Sequence, residues 1–347
     1  MAFITQLSLA QDSCPELDPM LDALDKRLGM EVVLDEDTLQ LRKAGKRESS
    51  WCPWPRAQLG IYVDGESTRG VEVTASPTGR LIELRIAVPA LATWTDWSLG
   101  IHLTSLLLEA GSSGAEVEGM GQFLGPGLQQ HFLENETRYL AELEAGGLAI
   151  QTAVAEGRTV RIGGPAGYAA IGPRSWTRIA DGAEDEEELA LRIVDFIQDS
   201  LDFRDFEDFD LATPLVLDGR DGRQVVTAVL APGRDLILKD PEFILLSDDL
   251  EKRGGVEMFL LPFEQLEEAF PGMATWIDER CCAMPALSPE DWPDILRRLL
   301  PMLLPVAPLL DLPEVQTTDP TQMQAVTFPA TRAPSSSTER GSWWKFW

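Results

Sequence analysis

The stretch LIELRIAV, Leu81–Val88, decides how the rest of the chain is read. Ile82, Leu84, Ile86 and Val88 alternate with Glu83, Arg85 and Ala87. Side chains of a strand point alternately to opposite faces, so this segment has one apolar and one mixed face. That is the pattern of an antiparallel sheet with one side on a core. Two segments of similar character precede it, Gln58–Val63 and 71–75, and the turn-forming runs DGEST (64–68) and SPTG (76–79) separate the three. Beyond them, Leu99, Leu103, Leu106 and Leu107 recur at helical spacing and predict a helix over 96–109. A second helix, over 126–145, is expected to end at Gly146-Gly147.

Toward the N-terminus, Asp18-Pro19 and Gly29 bracket a short helix as N-cap, first-turn proline and C-terminal glycine. Met20, Leu21, Leu24 and Leu28 share one of its faces, and Lys26 and Arg27 fall in the last turn, where the helix dipole favours cations. Residues 42–56, RKAGKRESSWCPWPR, read as a basic, proline-bearing connection. The opening MAFITQLSLAQDSC has no basic start, and its apolar stretch is too short for a secretory leader. The run LLPMLLPVAPLL (299–310) is broken by three prolines. As a helix it would span about 18 Å against a bilayer core of about 30 Å. A cytoplasmic protein is expected.

Further along, the same order of elements is expected to recur. Residues 159–162, 168–171 and 175–179 read as strands, and Leu189, Ile193, Phe196, Ile197 and Leu201 mark the core face of a helix over 184–201. Two β-β-β-α runs suggest related lobes. Strands are expected at 213–217, 224–230, 235–239, 243–246 and 256–260, with DGRDG (218–222) turning the first hairpin. A helix over 263–270 stops at Pro271-Gly272, and a last one starts near Ser288, with Pro293 leaving its first turn open.

The expected fold is therefore α+β: mainly antiparallel sheets with packed helices, in two lobes, 1–150 and 151–310. Residues 311–347 are rich in Pro, Ser, Thr and Gln and read as a flexible linker ending in WWKFW. With 347 residues, 44% of them hydrophobic and 25% charged, the chain can bury cores of this size.

Its charge is the outlier. Asp and Glu number 57 against 29 Lys and Arg, a formal net charge of −28. Such a chain repels phosphate backbones and anionic lipid, so nucleic acid is not expected as a partner, and a basic protein or plain solubility is. Cys14, Cys52, Cys281 and Cys282 make no C-x-x-C pair, and the adjacent Cys281 and Cys282 bridge only under strain. Neither a disulfide framework nor a metal site is expected.

No residue is assigned a catalytic role and no cofactor is expected. His102 and His131 fall on the helical segments 96–109 and 126–145 without a His or Cys at metal spacing, and are read as partly buried structural side chains. GSSG (111–114) reads as a loop and GGPAGYAAIG (163–172) as a turn between strands, since it has neither dinucleotide nor Walker spacing. A hydrolase built on two carboxylates stays open as an alternative, because nothing selects a pair among the 57 acids.

Two features point to binding. Residues 181–210 hold thirteen Asp and Glu against two Arg. Within them DFRDFEDFD (202–210) sets Phe203, Phe206 and Phe209 three apart, with Asp202, Asp205 and Asp208 in the same rhythm. A short three-residue turn would put rings inward and carboxylates outward, toward a basic protein partner. The second feature is Trp343, Trp344, Lys345, Phe346 and Trp347. Four rings of roughly 150–250 Å² each carry on the order of 15 kcal/mol of gross burial energy, enough to require a docking place. A partner protein's pocket, this protein's own body and a membrane surface are the three candidates. The first leads, and membrane contact is expected only through this tail.

Overall fold

The computed structural model describes residues 3–34, 54, 58–119, 121–124, 128, 131, 137–164, 167–219, 222–248 and 257–305. The chain divides into two compact units, Met1–Asp205 with Ile277–Glu279, and Phe206–Trp276 with Arg280–Trp347. The sequence reading set its boundary at 150. The observed division comes some fifty residues later, between Asp205 and Phe206.

The first unit is built on a seven-stranded antiparallel sheet. Its elements are β1 (Phe3–Ala10), α1 (Leu17–Leu28), β2 (Val32–Leu34), β3 (Gln58–Val63), β4 (Val71–Thr78) and β5 (Leu81–Val88), then α2 (Trp94–Glu109), β6 (Ala115–Val117) and β7 (Gly121–Phe123). The strand order is β2-β3-β4-β5-β1-β6-β7. β5 buries Ile82, Leu84, Ile86 and Val88 and exposes Glu83 and Arg85, as the alternation requires. The sequence reading did not identify β1, although Phe3, Thr5, Leu7 and Leu9 alternate in the same way. It completes the sheet by pairing Phe3–Ala10 with β5 on one side and 5–7 with β6 on the other.

Two helices meet this sheet's core. α1 ends at Gly29 in the left-handed region, φ 70°, as its sequence predicts, but it starts at Leu17 with Glu16 as N-cap, which puts Asp18 inside the first turn instead of at the cap. α2 comes close to the strands because Gly100 has no side chain: a Cβ there would lie 2.5 Å from Cγ2 of Val88. Its start is fixed by Thr93, whose hydroxyl accepts from the Asp96 N–H at 3.2 Å while the Asp96 carboxylate accepts from the Thr93 N–H at 3.0 Å. The helix thus starts earlier than the spacing of its leucines suggested.

The rest of the first unit is α3 (Thr137–Ala155), the hairpin β8 (Val160–Gly164) and β9 (Gly167–Ile171), α4 (Pro173–Ala180) and α5 (Glu186–Leu201). Two sequence expectations fail here. α3 runs through Gly146-Gly147 instead of stopping there. These glycines are contact points: a Cβ on Gly146 would meet Leu91 at 2.9 Å, and one on Gly147 would meet Ala190 and Ile193 of α5 at 3.4 Å. Residues 175–179, read as a strand, lie in helix α4. Pro173 sits in its first turn, the Ser175 hydroxyl accepts from the Gly172 N–H at 2.9 Å, and the Glu279 carboxylate accepts from the N–H groups of Arg174 and Ser175 at 3.0 Å each. A carboxylate a hundred residues away thus completes the helix start. With two strands in place of three, the β-β-β-α run is not repeated.

Among the described residues of the second unit, nine strands are shared between two sheets. β10 (Asp210–Leu211), β13 (Leu236–Lys239), β16 (Thr275–Trp276) and β17 (Cys281–Met284) form one, in the order β10-β13-β17-β16. The other has the order β11-β12-β14-β15-β18, from β11 (Pro214–Asp218), β12 (Gln224–Leu230), β14 (Phe243–Asp248), β15 (Glu257–Pro262) and β18 (Leu304–Pro305). The pairs β10–β13 and β12–β14 are parallel, the others antiparallel. The β11–β12 hairpin turns at DGRDG, with Gly222 at φ 79°.

Helices close this unit's main core. The residues expected as one helix over 263–270 split into a 3₁₀ turn, Phe263–Gln265, and a short α6, Leu266–Ala269. α7 (Trp292–Leu299) resolves the Pro293 question, because the proline falls in the first turn, where no backbone donor is needed. Phe263, Leu266, Trp292 and Leu296 pack on Ile244, Leu246 and Leu261 from one face of the five-stranded sheet. The other face carries a separate apolar cluster of Val225, Leu245 and Leu260.

Candidate partner-binding surface

The acids between 181 and 201 are organised by α5. Asp185 is its N-cap, accepting from the Glu188 N–H at 2.8 Å, and Glu186, Glu187 and Glu188 occupy the first turn, where the helix dipole stabilises negative charge. Of the expected core face Ile193, Phe196 and Ile197 are buried, joined by Ala190 and Val194, whereas Leu189 and Leu201 are half-buried. Opposite them, Glu187, Leu191, Asp195 and Asp199 follow one another four residues apart, and all four are exposed. Leu191 keeps 38% of its surface and Leu148 of α3 keeps 55%. These leucines are sequence neighbours of Ala190 and Gly147, which bring the two helices together. The result is a carboxylate stripe with apolar side chains on the same pair of helices.

Its charges are unevenly compensated. The Glu184 N–H and the Arg192 guanidinium hold the Glu188 carboxyl below the usual range. Arg192 donates to Glu188 at 2.7 and 3.0 Å and also binds the carbonyls of Asp181 and Gly182. It is therefore occupied in fixing the turn before the helix. Asp195 behaves differently. Partial burial and then the neighbouring Asp199 raise its pKa, so its charge is held against an unfavourable environment.

The segment 202–210 follows. Asp202 caps the end of α5, its N–H donating to the Gln198 carbonyl at 3.0 Å, and is half-buried, whereas Asp205 and Asp208 are exposed. Phe203, Phe206 and Phe209 are each half-buried, and a 3₁₀ turn spans Arg204–Phe206. Phe206 and Phe209 pack edge to face, 5.4 Å between centroids. The expected separation of rings and carboxylates is met only in part: Asp205 and Asp208 are exposed, but the rings are no more buried than Asp202, and the turn is limited to Arg204–Phe206. The stripe of Leu191, Asp195 and Asp199 was not singled out from the sequence. Its four-residue spacing was visible there, but the exposure of a leucine on an otherwise well-buried helix was not. Trp343, Trp344, Lys345, Phe346 and Trp347 lie outside the described residues.

Polar groups elsewhere serve the fold. Asp96, fully buried, accepts from the N–H groups of Thr68, Arg69 and Gly70 at 3.2, 3.1 and 2.9 Å, besides its bond from Thr93. It ties the loop before β4 to the start of α2. His102 is half-buried on α2, its pKa lowered by desolvation and then by Arg27. His131 is exposed beside Phe123, 5.3 Å between centroids, which corrects its reading as partly buried. The glycine-rich stretch 163–172 lies in the β8–β9 hairpin and continues to the start of α4, with Gly164 against the Arg69 backbone. Burial pushes the Cys14 thiol up to about 11.

Among the described residues, no group of three or more His, Cys, Asp or Glu is placed to hold a metal ion, and no helix is long and apolar enough to cross a membrane. Set beside known proteins, the chain matches no family model, no curated protein and no solved structure.

Proposed function

We propose that this protein is a non-enzymatic, cytoplasmic protein-binding module that engages a basic protein partner through the acidic face of α5 and the Asp202, Asp205 and Asp208 segment. The aromatic peptide at 343–347 supplies a second contact. The observation that carries this reading is the pair Asp195 and Asp199, exposed one turn apart and adjoining exposed Leu191. Like charges at this spacing cost an isolated helix roughly 0.2–0.5 kcal/mol. A basic partner relieves that repulsion, and the leucine gives it an apolar anchor. Carboxylates of one sign also speed encounter with a cationic surface.

The test begins with capture of partners from native lysate by the full chain, followed by kinetics with the purified partner. Association should slow as salt rises, because exposed charges are screened beyond about 8 Å at physiological ionic strength. Converting Asp195 and Asp199 to Lys should slow it about tenfold, and Asp202, Asp205 and Asp208 to Asn by less. Deleting 341–347 should instead speed dissociation. Affinity unchanged by salt and by all these substitutions would overturn the proposal.

A further inference from the structure

We propose that residues 173–180 are a two-state segment, helical as α4 only while the strap Ile277–Glu279 is seated on it. With the strap displaced, the segment joins the β8–β9 hairpin as a third strand. The strap is the connection between β16 and β17 and is part of the first unit. The helix has little of its own to hold it. It is eight residues long, where an isolated helix needs about 12–15 to be even marginally stable. Trp176, Thr177 and Ile179 are aromatic or β-branched, types that favour strands. Gly172, at the N-cap, has no side chain to offer the first turn. The N–H groups of Arg174 and Ser175 donate instead to Glu279, which also accepts from the Ser175 hydroxyl at 3.3 Å. One turn on, Arg178 donates to the Ile277 carbonyl at 2.7 Å.

The same strap blocks the alternative. Among the described residues β8 and β9 form a two-stranded sheet, so β9 has a second edge beyond its pairing with β8. On that edge the Ala170 N–H donates to the Asp278 carboxylate, and the Ala170 carbonyl accepts from the Glu279 N–H, each at 3.0 Å. Asp278 is buried, so the bond is shielded from water. A strand that follows β9 in a hairpin needs these same backbone groups. Gly172-Pro173-Arg174 has the length and the turn residues of a hairpin loop, and 175–179 has the alternation of a strand. Ile277–Glu279 thus completes one state and occupies the pairing edge of the other. Its departure removes the helix acceptors and frees Ala170 in a single step, which is what makes two discrete packings of one segment. This inference is independent of the partner reading above.

Cα chemical shifts of the isotope-labelled full chain distinguish the states, because helix and strand displace them in opposite directions from random coil. Converting Asp278 and Glu279 together to Ala should move Thr177 and Ile179 from helical to extended shifts, with new cross-strand contacts to β9. Glu279→Gln is the milder variant, since it keeps Asp278 on β9 and one acceptor oxygen on the helix. In it the Trp176 amide, which donates to the Gly172 carbonyl at 2.8 Å, should exchange about fivefold faster than in the unaltered chain. Three results overturn the proposal. Thr177 and Ile179 could keep helical shifts in the double variant. They could instead take random-coil shifts with unprotected amides, which would make the strap a cap and nothing more. Trp176 exchange could be unchanged by Glu279→Gln, which would show that the helix does not depend on the strap.

Discussion

The first unit's large sheet is assembled almost in chain order, with only β1 inserted between β5 and β6. The second unit distributes its described strands between two sheets, so neighbours in sequence are often not neighbours in space. The first sheet packs against helices and pins one of them to a loop through the buried Asp96 carboxylate. The second buries one sheet face under helical turns, and on the other the described residues of the apolar cluster all come from strands. The difference teaches where each unit is vulnerable. A unit closed by local connections and a polar pin fails when the pin is removed. One with a second apolar face depends on what lies over that face as well.

The largest expected effect is at the pin. Asp96→Ala strands three loop N–H groups and the helix cap in a buried site. At about 1–3 kcal/mol per orphaned buried donor, urea unfolding should show a loss of at least about 4 kcal/mol. A loss below about 1 kcal/mol would mean that the loop finds other acceptors and the pin is not what holds it.

Leu260→Ala tests the second unit. If its face is closed, the cost should be about 2–5 kcal/mol, like that of a residue in a packed core. A cost well under 1 kcal/mol in the same measurement would show the face open to water and remove the likeness between the two units. Next comes Gly100→Ala, which drives a methyl into Val88 at the seam between α2 and the first sheet. It should cost about 1–3 kcal/mol despite alanine's better helix propensity. A gain in stability would show that the helix can back away from the strands.

The smallest effect belongs to the acidic stripe. The pKa of Asp195 is raised in the folded protein, so the folded state binds its proton more tightly than the unfolded chain. Its contribution to stability is fully present below the unfolded pKa, near 3.9, and is lost as pH rises through the folded value. Asp195→Asn removes the penalty, so at pH 7 the melting temperature should rise by about 1 °C, and the gain should vanish in acid. Equal shifts at both pH values would assign the effect to something other than charge.

How far each unit could be read from sequence follows the same contrast. β3, β4 and β5 were legible because alternation, turn residues and short connections all agree there. α5 was legible from its apolar spacing and acidic first turn. Residues 175–179 misled because their short apolar alternation fits a strand, while the carboxylate that helps fix the helix is Glu279. Gly146-Gly147 misled because the same residue type ends helices and lets them approach closely. The carboxylates of the candidate surface could be counted, but Leu191 could be recognised as exposed only once α5 was packed on its neighbours.

The sequence by itself determined the α+β class, most strand and helix positions, the turn at DGRDG and the concentration of acids over 181–210. These follow from local periodicity, backbone restrictions and composition. Tertiary structure alone decided the strand orders, the parallel pairs, the division at Asp205, the pin at Asp96 and which acids and leucines share a face. The physical reason is that each depends on a partner distant in the chain, and a pattern within ten or twenty residues carries no information about which distant segment will supply it.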